Sequence, residues 1–223
     1  MTFFITLNKQ KAEASKKSLQ NANLTKAQLQ EADLSDAILI EACLDGSDLS
    51  EADLCGADLS AASLKNSKLH RTVLYRCRAK NTDFSNTILT QANLVEANLS
   101  GANFCQANLK ESNVEGANLT NSTFQNADLS ETNLTGVFLK NSNLNDANFT
   151  NSELIAADLT GSDLTGSNMH NAYLNHADLS GANLKSTLNL TSEQVETAFI
   201  DQETQLPASI QIVWISKTEY EFK

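Results

Sequence analysis

The stretch LHRTVLYRCRAKNTDF, residues 69–84, decides how this chain folds. On either side of it the sequence runs in five-residue units with a leucine at the centre, as in EADLCGADLS (51–60) and QANLVEANLS (91–100). Within it arginine, tyrosine and cysteine crowd together, and an alanine stands where a leucine is due. Stepping in fives puts Leu69, Leu74, Ala79 and Phe84 at the unit centres. Thr72, Cys77 and Thr82 fall two residues earlier, where other units carry Ala, Ser or Thr. Nothing is inserted. The segment is one more turn of the surrounding architecture, with its unusual residues mostly outside. Ala79 removes volume from the interior, Cys77 is a candidate to refill part of it, and Ala79→Leu is expected to be tolerated unless that space is filled.

Outward from this stretch the same step holds from Leu24 to Leu184, which makes 33 consecutive units. The centre is Phe at 84, 104, 124 and 149, Val at 114, Met at 169, Ala at 79 and Leu elsewhere. The residue before each centre is mostly Asn or Asp. A period of five matches neither a helix nor a sustained flat strand, whereas a corner recurring every five residues accounts for it. All eight glycines fall two residues after a centre, and so do nine asparagines, at 21, 66, 81, 86, 121, 126, 141, 151 and 171. These two residue types tolerate positive φ, which position i+2 of a type II turn demands. Each unit therefore reads as a short extended piece and a corner, wound into a solenoid whose centres and small residues point inward.

Residues 20–185 resemble the pentapeptide-repeat family, whose consensus is A(D/N)LXX. The resemblance implies an all-β solenoid, a right-handed quadrilateral β-helix with four units, or 20 residues, per coil. The chain carries its own sign of that coil: Phe84, Phe104 and Phe124 are 20 apart and would stack in one column. With about 4.8 Å between stacked strands, roughly eight coils make a rod about 40 Å long. The expected organisation is an N-terminal cap at 1–19, the β-helix at 20–185 and a C-terminal cap at 186–223. Phe3, Phe4, Ile5 and Leu7 are expected to cover the first coil. The segment TSEQVETAFI (191–200) pairs Thr191 with Gln194 as a capping box and reads as a short helix with apolar Val195, Phe199 and Ile200. Pro207 ends it, and IQIVWI (210–215) reads as a strand. This apolar tail is expected to be the cap itself, with a dimer contact as the alternative, so a monomer is favoured.

Sixteen Lys and Arg against 27 Asp and Glu leave a net charge of −11, which argues against nucleic acid as ligand. No apolar run reaches the roughly 20 residues a membrane helix needs. The start, with its apolar residues ahead of its lysines, has the wrong order for a secretory signal, so a cytoplasmic location is expected. Cys43, Cys55, Cys77 and Cys105 include no pair one coil apart, which disfavours disulfides and metal sites. His70, His170 and His176 face outward without ligand partners at useful spacing. No nucleophile–base pair, phosphate loop or cofactor motif is found, so no catalytic residue, metal or cofactor is assigned and no enzyme is expected.

Charge becomes informative when folded at 20. Residues 61–80 hold six bases and no acid, and 41–60 hold six acids and no base. The expected stacks are Asp45 with Lys65, Asp48 with Lys68, Glu51 with Arg71, Asp58 with Arg78, and Arg76 with Glu96, forming a charge-paired belt. Two surfaces stand out as candidate contacts. One is an outward column of Cys55, Tyr75 and Val95, with Val73 beside it and Arg71 and Arg76 flanking. The other is an acidic corner of Glu31, Asp33, Glu51 and Asp53. The function expected is an interaction module that binds another protein, its process unknown. The alternative implied by the resemblance is an acidic DNA mimic that binds a type II topoisomerase such as gyrase; the basic coil at 61–80 interrupts the stripe it would need.

Overall fold

The computed structural model describes residues 9–216 and 219–223. The expected cover by Phe3, Phe4, Ile5 and Leu7 lies outside them. From Asn23 to Leu188 the chain builds one ladder of parallel bridges between residues 20 apart, beginning with Asn23↔Cys43 and ending with Asn168↔Leu188. Turns recur every five residues, so each 20-residue coil has four faces.

The five-residue unit is a repeating solution to backbone hydrogen bonding. In the unit centred on Leu24, the Leu24 N–H donates to the Cys43 carbonyl one coil on, and the Lys26 N–H to that of Asp45. The Ala27 N–H closes the corner on the Leu24 carbonyl, and the Gln28 position repeats the ladder. That leaves the N–H of the residue after the centre. Asn or Asp just before the centre supplies its acceptor: Asn23 Oδ1 takes the Thr25 N–H at 3.1 Å, Asp58 takes Ser60 at 3.0 Å and Asn113 takes Glu115 at 3.1 Å. This is an Asx turn, and it gives the preference for Asn and Asp its physical cause.

Every fifth residue from Asn21 to Ser186 has positive φ, whether it is Gly, Asn, Glu or Arg. The strain is compensated by the ladder bonds on both sides of the corner. Gly56 needs its lack of a side chain twice over: its φ is +66°, and an added Cβ would meet Asp36 Oδ1 at 2.6 Å.

Inside, the centres and the residues two before them are buried along the ladder, apart from the half-buried Ala22 of the first unit. The interior is narrow and filled by side chains, a packed core rather than a channel. Phe84, Phe104 and Phe124 stack in one column, with ring centroids 4.9 and 4.7 Å apart and planes within 6°. Many buried hydroxyls at the small position bond backbone carbonyls, as where Thr72 and Thr82 donate to the Leu49 and Leu59 carbonyls at 2.8 and 2.7 Å. Those of Ser47, Ser112 and Ser167 have no partner among the described residues.

Both ends depart from the unit. The N-terminal end holds helix α1 (Lys9–Ala14) and a 3₁₀ turn (Lys16–Ser18), which bury Ala12 and Leu19 against the first coil. Helix α2 (Ser192–Glu196) starts at Thr191, whose hydroxyl accepts the Gln194 N–H at 3.3 Å while Gln194 Oε1 accepts the Thr191 N–H at 2.9 Å. It stops at Glu196, well before Pro207. The chain then rejoins the ladder with lengthened steps, Asp178↔Phe199 and Asn183↔Gln205. Strand alternation follows, so Ala198 and Ile200 are buried and Phe199 is 58% exposed, and Phe199 and Ile200 lie beyond the helix in which the sequence reading placed them. The expected strand at 210–215 is β1 (Ile212–Trp214), paired antiparallel with β2 (Tyr220–Phe222), a partner the sequence reading lacked. Ile212, Trp214, Tyr220 and Phe222 pack against the core.

Candidate functional site

The ladder places Cys55, Tyr75 and Val95 in one column at a corner of the coil, with each residue half-buried. Val73 lies at the adjoining face position, bridged to Asp53 and Asn93. Because Val73 is not Asn or Asp, the Tyr75 N–H lacks the Asx acceptor that Asp53 and Asn93 supply to Cys55 and Val95 at 2.8 and 3.1 Å. The Arg76 guanidinium lies over the Tyr75 ring, 4.8 Å from its centroid, and its Nε donates to Glu96 Oε2 at 2.6 Å. Glu96 holds the Arg76 pKa above its usual value. The column is thus an aromatic–arginine pair anchored by a carboxylate.

The belt around it differs from the expected stacks in two places. Lys68–Asp48 (3.7 Å), Arg78–Asp58 (3.0 Å) and Arg76–Glu96 form as expected. Lys65 instead pairs with Asp83 at 3.2 Å, because Asp45 Oδ1 already accepts the Lys65 N–H and the Ser63 hydroxyl. Arg71 turns away from Glu51: its Nε donates to Gln91 Oε1 at 2.8 Å, and Gln91 Nε2 donates onward to Glu111 at 2.7 Å. At Asp58 burial raises the pKa, but the hydrogen bonds from Ser60 and Arg78 outweigh it and leave the carboxyl below its usual value.

In the acidic corner, Glu31 and Glu51 sit at positive-φ positions and Asp33 is bridged to Asp53. One of its carboxylates has a compensator that the sequence reading lacked. Lys16 Nζ reaches Asp33 Oδ1 at 2.7 Å and, with the Ser35 hydroxyl and N–H, holds that carboxyl well below the usual range. The Asp33 N–H also donates to Glu13 at 3.0 Å, so the N-terminal helix is tied to this corner.

All four cysteines are unpaired, and burial pushes the Cys77 thiol up to about 12, which makes it unreactive core. Among the described residues no helix is long and apolar enough to cross a membrane, and no three His, Cys, Asp or Glu side chains converge as metal ligands. An open depression of about 670 Å³ lies beside α2, lined by His170, Tyr173, Asn175, Glu193 and Gln194. Sequence reasoning missed a set of exposed apolar side chains ahead of the C-terminal hairpin: Ile88, Phe138, Tyr173, Leu188 and Phe199 are 43–58% exposed. The signal was present, since four of these occupy the Asn/Asp position of their units, where a bulky apolar residue is an exception.

Comparison with known proteins agrees with this geometry. A family model described as "Pentapeptide repeat region" matches residues 57–134, and one described as "Pentapeptide repeats (8 copies)" matches 18–55, 122–161 and 152–188. Among solved structures the chain is similar to HetL, a pentapeptide repeat protein involved in heterocyst differentiation regulation from the cyanobacterium Nostoc sp. strain PCC 7120. The identity is 29%, the match covers 89% of this chain and 88% of that one, and the TM-score is 0.60. It also resembles QnrB1, a plasmid-mediated fluoroquinolone resistance protein, at 19% identity over 75% of this chain and 83% of that one, with a TM-score of 0.69, a likeness of fold alone. A search of curated proteins finds no match. The unbroken five-residue ladder and the family models that span it place this chain in the pentapeptide-repeat family.

Proposed function

We propose that the protein is a non-enzymatic interaction module of the cytoplasm, a right-handed rod of about eight coils that binds another protein through the face of Cys55, Arg71, Val73, Tyr75, Arg76 and Val95. The observation that carries this reading is the Arg76–Tyr75 stack with its Glu96 anchor. Aromatic and arginine side chains held rigid before binding are the usual anchors of protein interfaces, because little side-chain entropy remains to be lost. The filled interior supports a role played by the surface. The acidic corner, with Lys16 already on Asp33, leaves Glu31, Glu51 and Asp53 as a secondary contact for a basic partner. A regulatory role is consistent with HetL's part in regulation. The four unpaired cysteines suit a reducing compartment, and the burial of Trp214, Tyr220 and Phe222 against the core favours a cap and a monomer.

Affinity capture from host lysate with the parent chain and with Tyr75→Ser/Val95→Ser tests the face. Loss of the captured protein in the variant is expected, and an unchanged set of captured proteins refutes it. Gyrase supercoiling is expected to be unaffected by the protein; inhibition would favour the DNA-mimic reading.

A further inference from the structure

On the face that carries Asp58 and Arg78, further along the rod, the bridges Phe138↔Asp158, Asp158↔Asp178 and Asp178↔Phe199 form a single column. Two phenylalanines, 49% and 58% exposed, bracket two carboxylates. At about 4.8 Å per step the column is about 14 Å long. An exposed aromatic pair on a flat sheet face is costly to leave in water and marks an interaction surface.

The same column shows elsewhere how it receives a cation. At its other end Asp58 Oδ1 is held by the Ser60 N–H at 3.0 Å, which aims Oδ2 outward, and Arg78 Nε binds that Oδ2 at 3.0 Å. Asp158 and Asp178 repeat the first half of this arrangement. Their Oδ1 atoms accept the Thr160 and Ser180 N–H groups, each at 3.0 Å. Neither forms an ion pair among the described residues. Where Asp58 has Arg78 one coil on, these carboxylates have each other and Phe199.

We propose that the column Phe138, Asp158, Asp178 and Phe199 is a docking strip for an arginine-bearing segment of a partner protein. Guanidinium groups take the position on Asp158 and Asp178 that Arg78 takes on Asp58, and apolar side chains of the segment cover the two rings. Arginine suits the strip better than lysine, because its planar head can bond a carboxylate and lie against a ring at once. A second copy of this chain is the poorer occupant, since the bases of its belt are engaged at home. The proposal rests on the interaction-module reading but uses a different surface from the Tyr75 face.

The test uses a fluorescein-labelled peptide of alternating leucine and arginine, and the same peptide with citrulline for arginine. Binding is read by anisotropy, and its location by amide shifts in ¹⁵N NMR. The arginine peptide is expected to shift the Thr160 and Ser180 amides, and citrulline to weaken binding about tenfold or more. D158N/D178N and F138S/F199S should each weaken it similarly, and Tyr75→Ser/Val95→Ser should leave it unchanged. Because the citrulline control leaves the protein intact, the idea stays exposed to refutation even if a variant misfolds. It is overturned if the citrulline peptide binds equally, if the shifts lie elsewhere, or if Tyr75→Ser/Val95→Ser abolishes binding. It is also overturned by a concentration-dependent dimer that F138S/F199S dissolves. Should the strip fail while capture through the Tyr75 face succeeds, the module reading stands and this proposal falls.

Discussion

Replacing Asn113 by alanine removes one Asx acceptor and nothing else of consequence. Its side chain makes one hydrogen bond, from the Glu115 N–H at 3.1 Å, while its backbone stays in the ladder between Asn93 and Asn133. A net hydrogen bond of this kind contributes about 0.5–1.5 kcal/mol. Glu115 is exposed, so water can reach the freed N–H and the loss belongs at the lower end, about 0.5–1 kcal/mol. For a chain of this size that lowers Tm by about 1–4 °C. Asn113→Asp keeps the acceptor and should stay within about 0.5 kcal/mol of the parent. Calorimetry gives the Tm, and hydrogen exchange at the Glu115 amide reports the bond itself. The reasoning fails if Asn113→Ala leaves that amide as protected as before, or if Asn113→Asp costs as much as alanine.

Three further outcomes follow from the packing and charge. Phe104→Ala removes the middle ring of the Phe84–Phe104–Phe124 stack and should cost about 3–5 kcal/mol in urea unfolding; a loss below about 1 kcal/mol would mean that the column does not carry the core. Ala79→Leu, with Leu59 and Leu99 one coil away on either side, should be neutral or slightly stabilising; a loss of about 1–3 kcal/mol would show that Cys77 already fills the space. Asp48, Asp58, Asp83 and Asp163 have pKa values below the ordinary 3.8, since hydrogen bonds outweigh the upward push of burial. Groups with depressed folded-state values stabilise the fold above the unfolded value and lose that contribution as pH falls through the folded one. Tm should therefore drop below about pH 4; a Tm that rises on acidification from 4 to 2.5 would contradict these hydrogen bonds.

The periodic part of this protein was legible because everything that specifies it is local. A centre, a small residue two before it and a corner two after it recur within five residues, and the structure buries or bends each accordingly. The preference for Asn and Asp before the centre was visible in the sequence, but its reason, an acceptor for one leftover N–H, needed the coordinates. The exceptions to that preference were the better guide to exposed apolar side chains. Phe138 and Tyr173 could have been found that way.

The sequence by itself determined the five-residue unit and its inside and outside, because a turn every five residues fixes which side chains point inward. The spacing of Phe84, Phe104 and Phe124 supported the 20-residue coil that the family resemblance implies. Only the tertiary structure decided which outward side chains meet. A residue one coil away can be reached at offsets of 18 or 20, and a flexible lysine chooses by what is already engaged: Lys65 takes Asp83 because Asp45 holds its backbone. The ends escaped the sequence for the matching reason. Helix α1, the lengthened steps to Phe199 and Gln205, and the β1–β2 hairpin answer to the exposed edge of the stack, and no short-range pattern encodes the shape of that edge.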